Sequence, residues 1–162
     1  MLVANSDRES STGAAMLGIY DLGSGEQLAM VDLSGSNEDP TVDANYFAND
    51  VAVSAAGAAF VTDTRMSLIY KVGRYYRASV LIDFGRESGF NRNGIEYNPE
   101  GYLIAVSTSN KTGSVMKYAS DDHWMSSRLT GMASFEGQAT TAAAVGSEIF
   151  VVQPILGTQI HR

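Results

Sequence analysis

Apolar residues along this chain come in short runs, many alternating with polar ones, and turn residues separate the runs at roughly 8–12-residue intervals. Asp50-Val51-Ala52-Val53-Ser54 leads through Ala55-Ala56-Gly57 into Ala58-Ala59-Phe60-Val61-Thr62-Asp63, and then into Leu68-Ile69-Tyr70-Lys71. A period of two marks strands that bury one face, and no stretch carries the longer period of a convincing amphipathic helix. The pattern predicts an all-β protein.

The runs repeat. Forty-four positions after Ala48-Asn49-Asp50-Val51-Ala52-Val53 comes Arg92-Asn93-Gly94-Ile95-Glu96-Tyr97, again followed by a turn closing on glycine (Asn98-Pro99-Glu100-Gly101) and a β-rich run, Tyr102-Leu103-Ile104-Ala105-Val106-Ser107. Third strands ending alike follow in both, Leu68-Ile69-Tyr70-Lys71 and Val115-Met116-Lys117-Tyr118, and a degenerate copy begins at Gly137-Gln138-Ala139-Thr140. A four-stranded unit of roughly 40–50 residues is the length of a propeller blade. The Ala-, Ser- and Thr-rich first strands suit the innermost position, where blades taper toward a channel. The expected architecture is therefore a partial β-propeller of about three and a half four-stranded blades. Residues 1–35 are read as a blade remnant lacking its first strand, 48–85 and 93–130 as full blades, and 137–162 as an incomplete blade, all in one domain. A small barrel or sandwich is the alternative. Propellers close into rings of about four to eight blades, so the chain is expected to be part of a longer propeller or a truncated product, with open blade edges that favour self-association.

Composition narrows the chemistry. The 162 residues include 11 Lys and Arg against 18 Asp and Glu, a formal charge of −7, which disfavours binding to a phosphate backbone. The absence of cysteine removes disulfides, thiolate metal sites and a thiol nucleophile, and two histidines are too few for a His-rich zinc site. No apolar run approaches the roughly 20 residues of a membrane-spanning helix. Compartment is not legible.

Tyr46-Phe47-Ala48-Asn49-Asp50-Val51-Ala52-Val53, with Phe60-Val61-Thr62-Asp63 and Ile69-Tyr70-Lys71-Val72, resembles a blade of the senescence marker protein/gluconolactonase family, and Asn93-Gly94-Ile95-Glu96-Tyr97-Asn98-Pro99-Glu100-Gly101 is similar to the next blade. The nearest branch is the plant one, described as calcium-dependent phosphotriesterase-like or NHL-repeat-like. The resemblance, over about residues 45–155, implies a six-bladed propeller with one divalent cation, usually calcium, at the channel mouth. By motif, Asn93 matches a metal-binding asparagine. Asn49 matches an asparagine that helps bind substrate or metal, with Asp50 beside it at the substrate. The third metal position is an aspartate tied to the catalytic base, and here Gln138 stands in its place. A neutral amide cannot take a proton from a water nucleophile near neutral pH. The fourth ligand, a glutamate of the first blade, falls outside this chain. The resemblance thus implies hydrolase ancestry, while the residues favour a non-catalytic module binding a small molecule or protein at the channel face. A calcium-dependent lactonase or phosphotriesterase-like hydrolase, or a product without independent activity, are the alternatives.

Other motifs have plainer readings. Asn49 and Asn93 can bond their own backbone, as Asn often does where a strand begins. Asp63 is expected to bond neighbouring backbone, and Gly23-Ser24-Gly25 to form a hairpin turn. Asp121-Asp122-His123-Trp124 reads as a solvated turn at a blade's outer rim, and Arg74-Tyr75-Tyr76-Arg77 as rings packed on a blade with the arginines exposed. Asn110-Lys111-Thr112 is a glycosylation sequon in an expected turn.

Overall fold

Strands form where the alternation puts them. The computed structural model describes residues 1–6, 13–37, 45–85, 91–108, 112–146, 148–153 and 159–161, and in it the strands make four antiparallel sheets, each a meander in chain order. The first holds β1 (Leu2–Ser6), β2 (Ala15–Tyr20) and β3 (Gln27–Asp32). The second holds β4 (Ala48–Val53), β5 (Ala59–Asp63), β6 (Leu68–Val72) and β7 (Ala78–Asp83). The third holds β8 (Asn91–Asn98), β9 (Tyr102–Thr108), β10 (Thr112–Ala119) and β11 (Arg128–Glu136), so it runs past residue 130. The fourth holds β12 (Thr141–Val145), β13 (Glu148–Gln153) and β14 (Gln159–His161). The protein is all-β, with its sheets stacked like the blades of a partial propeller. Of the sequon, Asn110 and Lys111 lie outside the described residues.

The first strand of each sheet packs beside the first strand of the next, β1 against β4, β4 against β8 and β8 against β12. Ser6 Oγ donates to the Ala48 carbonyl at 2.8 Å across the first of these contacts. This corrects the reading of residues 1–35: β1 is the innermost strand of its sheet, not the second of a blade that lacks its first. In the sequence, eight residues separate β1 from β2, against five between β4 and β5 and three between β8 and β9, so the spacing that marks the other inner strands is not repeated there.

Stacking explains why the middle strands are apolar on both faces. Along β5 every residue is buried: Ala59 and Val61 pack toward Leu17 and Val31 of the first sheet, and Phe60 packs toward Leu103 and Trp124 of the third. A strand covered on both sides reads as a continuous apolar run. The outermost β11 has no such cover and is exposed along most of its length. Val106, Ala139 and Val151 form a smaller cluster between the third and fourth sheets. Two inner hairpins turn alike. Gly57 N donates to Ser54 O and Gly101 N to Asn98 O, both at 2.9 Å, with φ of 83° and 92° that glycine adopts without strain.

One buried polar pair in the core carries an imbalance. Ser107 and Ser114 face each other across β9 and β10, both buried, and neither hydroxyl has a hydrogen-bond partner. A buried polar group without a partner costs about 1–3 kcal/mol. Ser107→Ala with Ser114→Ala is therefore expected to leave the midpoint of urea unfolding unchanged or to raise it. A fall in that midpoint would mean that a bound water satisfies the pair.

Candidate functional site

Both β4 and β8 begin with a bulge, the pairing register slipping between Ala48 and Val51 and between Arg92 and Ile95. Bulges re-aim side chains, and these two hold Asn49 and Asn93 at the same end of neighbouring inner strands. Asn49 Nδ2 donates to Asn93 Oδ1 and to Thr64 Oγ1, each at 2.8 Å. Asn93 Nδ2 in turn donates to the Ala139 carbonyl at 3.4 Å. The line of amides therefore joins the second, third and fourth sheets. Gln138, half-buried, adjoins the residue that accepts the last bond.

Asp50 sits inside the same bulge but serves the backbone. Its Oδ1 accepts from Val51 N at 2.8 Å and its Oδ2 from Ile95 N at 3.0 Å, so the carboxylate fills the step between β4 and β8. The place of Asp50 is taken in the next repeat by Gly94, where a Cβ would stand 2.6 Å from Thr141 Cα and 2.7 Å from Thr140 O. One repeat thus bridges to its neighbour through a side chain, and the next through direct backbone approach.

Behind these residues lies a Thr-Asp-Thr segment that the sequence did not single out as a unit. Thr62 Oγ1 donates to the Asn93 carbonyl at 2.5 Å, and Thr64 Oγ1 donates to the Arg92 carbonyl. Asp63, fully buried between them, accepts from Phe47 N, Arg65 N and Met66 N at 2.9–3.1 Å and from the Tyr70 hydroxyl at 3.5 Å. Burial pushes its carboxyl up from the usual value, and the amide donors of Met66, Phe47 and Arg65 pull it part of the way back. The available signal was the pair of threonines flanking a carboxylate at the end of an otherwise apolar strand.

The donor set decides what these residues can hold. A hard dication takes six to eight oxygen ligands, commonly with carboxylates among them. Asn93 Oδ1 already accepts from Asn49, and both oxygens of Asp50 are engaged by backbone. Among the described residues no group of three or more His, Cys, Asp or Glu side chains comes close enough to hold a metal ion. As they stand, these residues do not fit a calcium ion.

The remaining motifs resolve separately. Asp122 closes the turn after β10, accepting from Met125 N, Ser126 N and the Ser126 hydroxyl; the Ser126 and Ser120 hydroxyls and these amides hold it well below the usual carboxylate range. Trp124 of the same turn is not solvated: it is buried edge-on against Phe60 and Tyr97, at 5.1 and 6.1 Å. Asp21 Oδ1 gathers Gly23 N and Ser24 N at 2.9 and 2.7 Å, which makes the Gly23–Gly25 hairpin turn. Tyr75 departs from expectation, because its ring is 90% exposed and not packed on the blade.

The fold places the chain among all-β proteins built of propeller-like antiparallel sheets. Among solved structures it is similar to a protein of unknown function from Bacteroides caccae, determined at 1.35 Å resolution, with a TM-score of 0.61 and 12% identity. The similarity covers 99% of this chain and 56% of that one, so the chain spans little more than half of its neighbour's length. At such identity the likeness concerns fold alone. No family model and no curated protein sequence matches the chain. No helix among the described residues is long and apolar enough to cross a membrane.

Proposed function

We propose that this chain is a non-catalytic propeller module, related to the gluconolactonase-like six-bladed proteins, that binds a small molecule or protein at its channel face. The observation that carries the reading is the engagement of Asn93 at both ends of its amide, by Asn49 Nδ2 and by the Ala139 carbonyl. An asparagine so held ties strands together. It leaves little of the open oxygen array that polarises a substrate carbonyl or phosphoryl group. The calcium-dependent hydrolase reading has one observation in its favour, the convergence of Asn49, Asn93 and the Gln138–Ala139 segment along one line of inner strands. Exposed Val3, Leu28, Val145 and Val152 on the first and fourth sheets leave room for self-association through the open blades.

Thermal unfolding followed by the single tryptophan, Trp124, separates these readings. A ligand that binds only the native state raises the melting point by mass action, and calcium at a hundred times its Kd would add about 2.7 kcal/mol, or about 5–10 °C for a domain of this size. The module reading expects no shift in millimolar calcium. It also expects Asn93→Ala to lower the melting point by about 2–6 °C, because a cross-strand tie is lost. An upward shift in calcium that Asn93→Ala abolishes would replace it with the hydrolase reading. The Gln138→Asp variant would then be the natural candidate for restored hydrolysis.

A further inference from the structure

A cleft of about 610 Å³ opens between the first and second sheets, at the ends of β4 and β6 opposite to Asn49. Its walls are apolar, with Leu2 and Ile19 from the first sheet facing Val51 and Val53 from the second. Its rim is the β6–β7 connection, closed by a 3.0 Å bond from Gly73 N to Arg77 O, which presents Arg74, Tyr75 and Tyr76 to the opening. A cleft of this size matches pockets that take ligands of drug-like dimensions.

The rim is built at a cost. Tyr75 and Tyr76 are both in the left-handed region, with φ of 62° and 58°, a conformation unfavourable for residues with a Cβ. Two bulky residues held there in succession constitute strain of the kind that clusters at ligand clamps. The strain gains no burial for Tyr75, which is 90% exposed, nor much for Tyr76 at 49%. Arg74, also exposed, has no carboxylate partner among the described residues, on a chain whose formal charge is −7. A local cation on an acidic protein, two aromatic faces and an apolar floor together select for a flat apolar body bearing an anionic group.

We propose that this cleft binds an aromatic carboxylate, its ring against the apolar walls and beneath the Tyr75–Tyr76 rim, its carboxylate toward the Arg74 guanidinium. Arginine suits that role because its planar fork matches a carboxylate in two parallel hydrogen bonds. The site is independent of the Asn49–Asn93 line, which lies at the other end of the strands.

The test uses 2-naphthoate as probe and the neutral 2-naphthalenemethanol as its comparator, titrated into the full chain by calorimetry. For a ligand of this size, Kd on the order of 1 mM is expected for naphthoate, with the alcohol weaker by about tenfold for loss of the charged pair. Arg74→Gln should remove the difference between the two probes and leave the alcohol's affinity unchanged. Tyr75→Gly should weaken both probes by about fivefold, the loss of one ring face, and raise the melting point by about 2–4 °C through release of the left-handed strain. A merely structural tyrosine would not couple higher stability to weaker binding. Equal affinity for the two probes, no binding of either, or unchanged affinity in Tyr75→Gly would each overturn the proposal.

Discussion

Replacing Asp63 with alanine is expected to cost about 3–5 kcal/mol of folding stability, enough to unfold much of the chain at 37 °C. The carboxylate accepts from three backbone amides, Phe47 N, Arg65 N and Met66 N, in a fully buried setting. Alanine leaves all three donors without acceptors, at about 1–3 kcal/mol each, partly offset because no charge remains to be buried. Asp63→Asn is the informative partner. Its carbonyl oxygen can keep the position of Oδ1, which serves all three amides, while its NH2 faces the Tyr70 hydroxyl but also stands at Oδ2, where it opposes the Phe47 N–H, so a loss of about 1–2 kcal/mol is expected. Urea unfolding of the two variants checks the ordering. Equal losses would show that the charge, not the acceptor geometry, holds the loop.

The same residue gives a pH signature with a definite sign. Desolvation raises the native carboxyl of Asp63 above its ordinary value of 3.8, so between the two values the native state holds more protons than the unfolded one. Stability then falls as pH rises. The contribution of Asp63 is full below pH 3.8, declines as pH climbs through the raised native value, and is level above it. This runs against Asp122 and Asp21, whose lowered carboxyls stabilise the fold above their ordinary range and lose that effect as pH falls. Subtracting the Asp63→Asn profile from that of the parent chain isolates the Asp63 slope. A difference that rises with pH would overturn that sign.

Much of the architecture was legible in the sequence because turns and alternation are local. Gly57 and Gly101 occupy the same place in successive repeats and close the same hairpin, and the period between them carries Asn49 onto Asn93. The distance between neighbouring repeats is not local. That Asn49 would bond Asn93 directly, or that Asp50 would reach Ile95 N, follows from how closely the sheets stack, and no run of residues states that spacing. The burial of Trp124 is illegible for the same reason: its turn is polar in sequence, but left-handed His123 and Trp124 direct the indole inward onto Phe60 of the neighbouring sheet. The exposed Tyr75 is the converse, an aromatic ring that composition assigns to packing and backbone strain holds in solvent.

Gly94 exposes the stacking distance most directly, and Gly94→Ala is expected to destabilise the chain by about 1–3 kcal/mol, the usual cost of overpacking. Its backbone needs no glycine for its torsions, because its φ is not positive. What it needs is room: a Cβ would meet Thr141 Cα at 2.6 Å and Thr140 O at 2.7 Å. Both are backbone atoms and cannot swing aside as a side chain would, so β12 itself must move away from β8. That movement strains the Asn93 bond to the Ala139 carbonyl and the bond from Ala144 N to Glu96 Oε2, at 2.8 Å, and it opens the cluster of Val106, Ala139 and Val151. The damage should be confined to the fourth sheet, since the aromatic cluster of Phe60, Tyr97 and Trp124 lies on the other face of the third. Amide exchange is therefore expected to quicken along β12 and β13 in Gly94→Ala, while the native emission of Trp124 stays as in the parent chain. Parental protection along β12 would show that the sheets do not approach as closely as Gly94 requires. Altered Trp124 emission would show that strain at one sheet interface passes through the third sheet to the next.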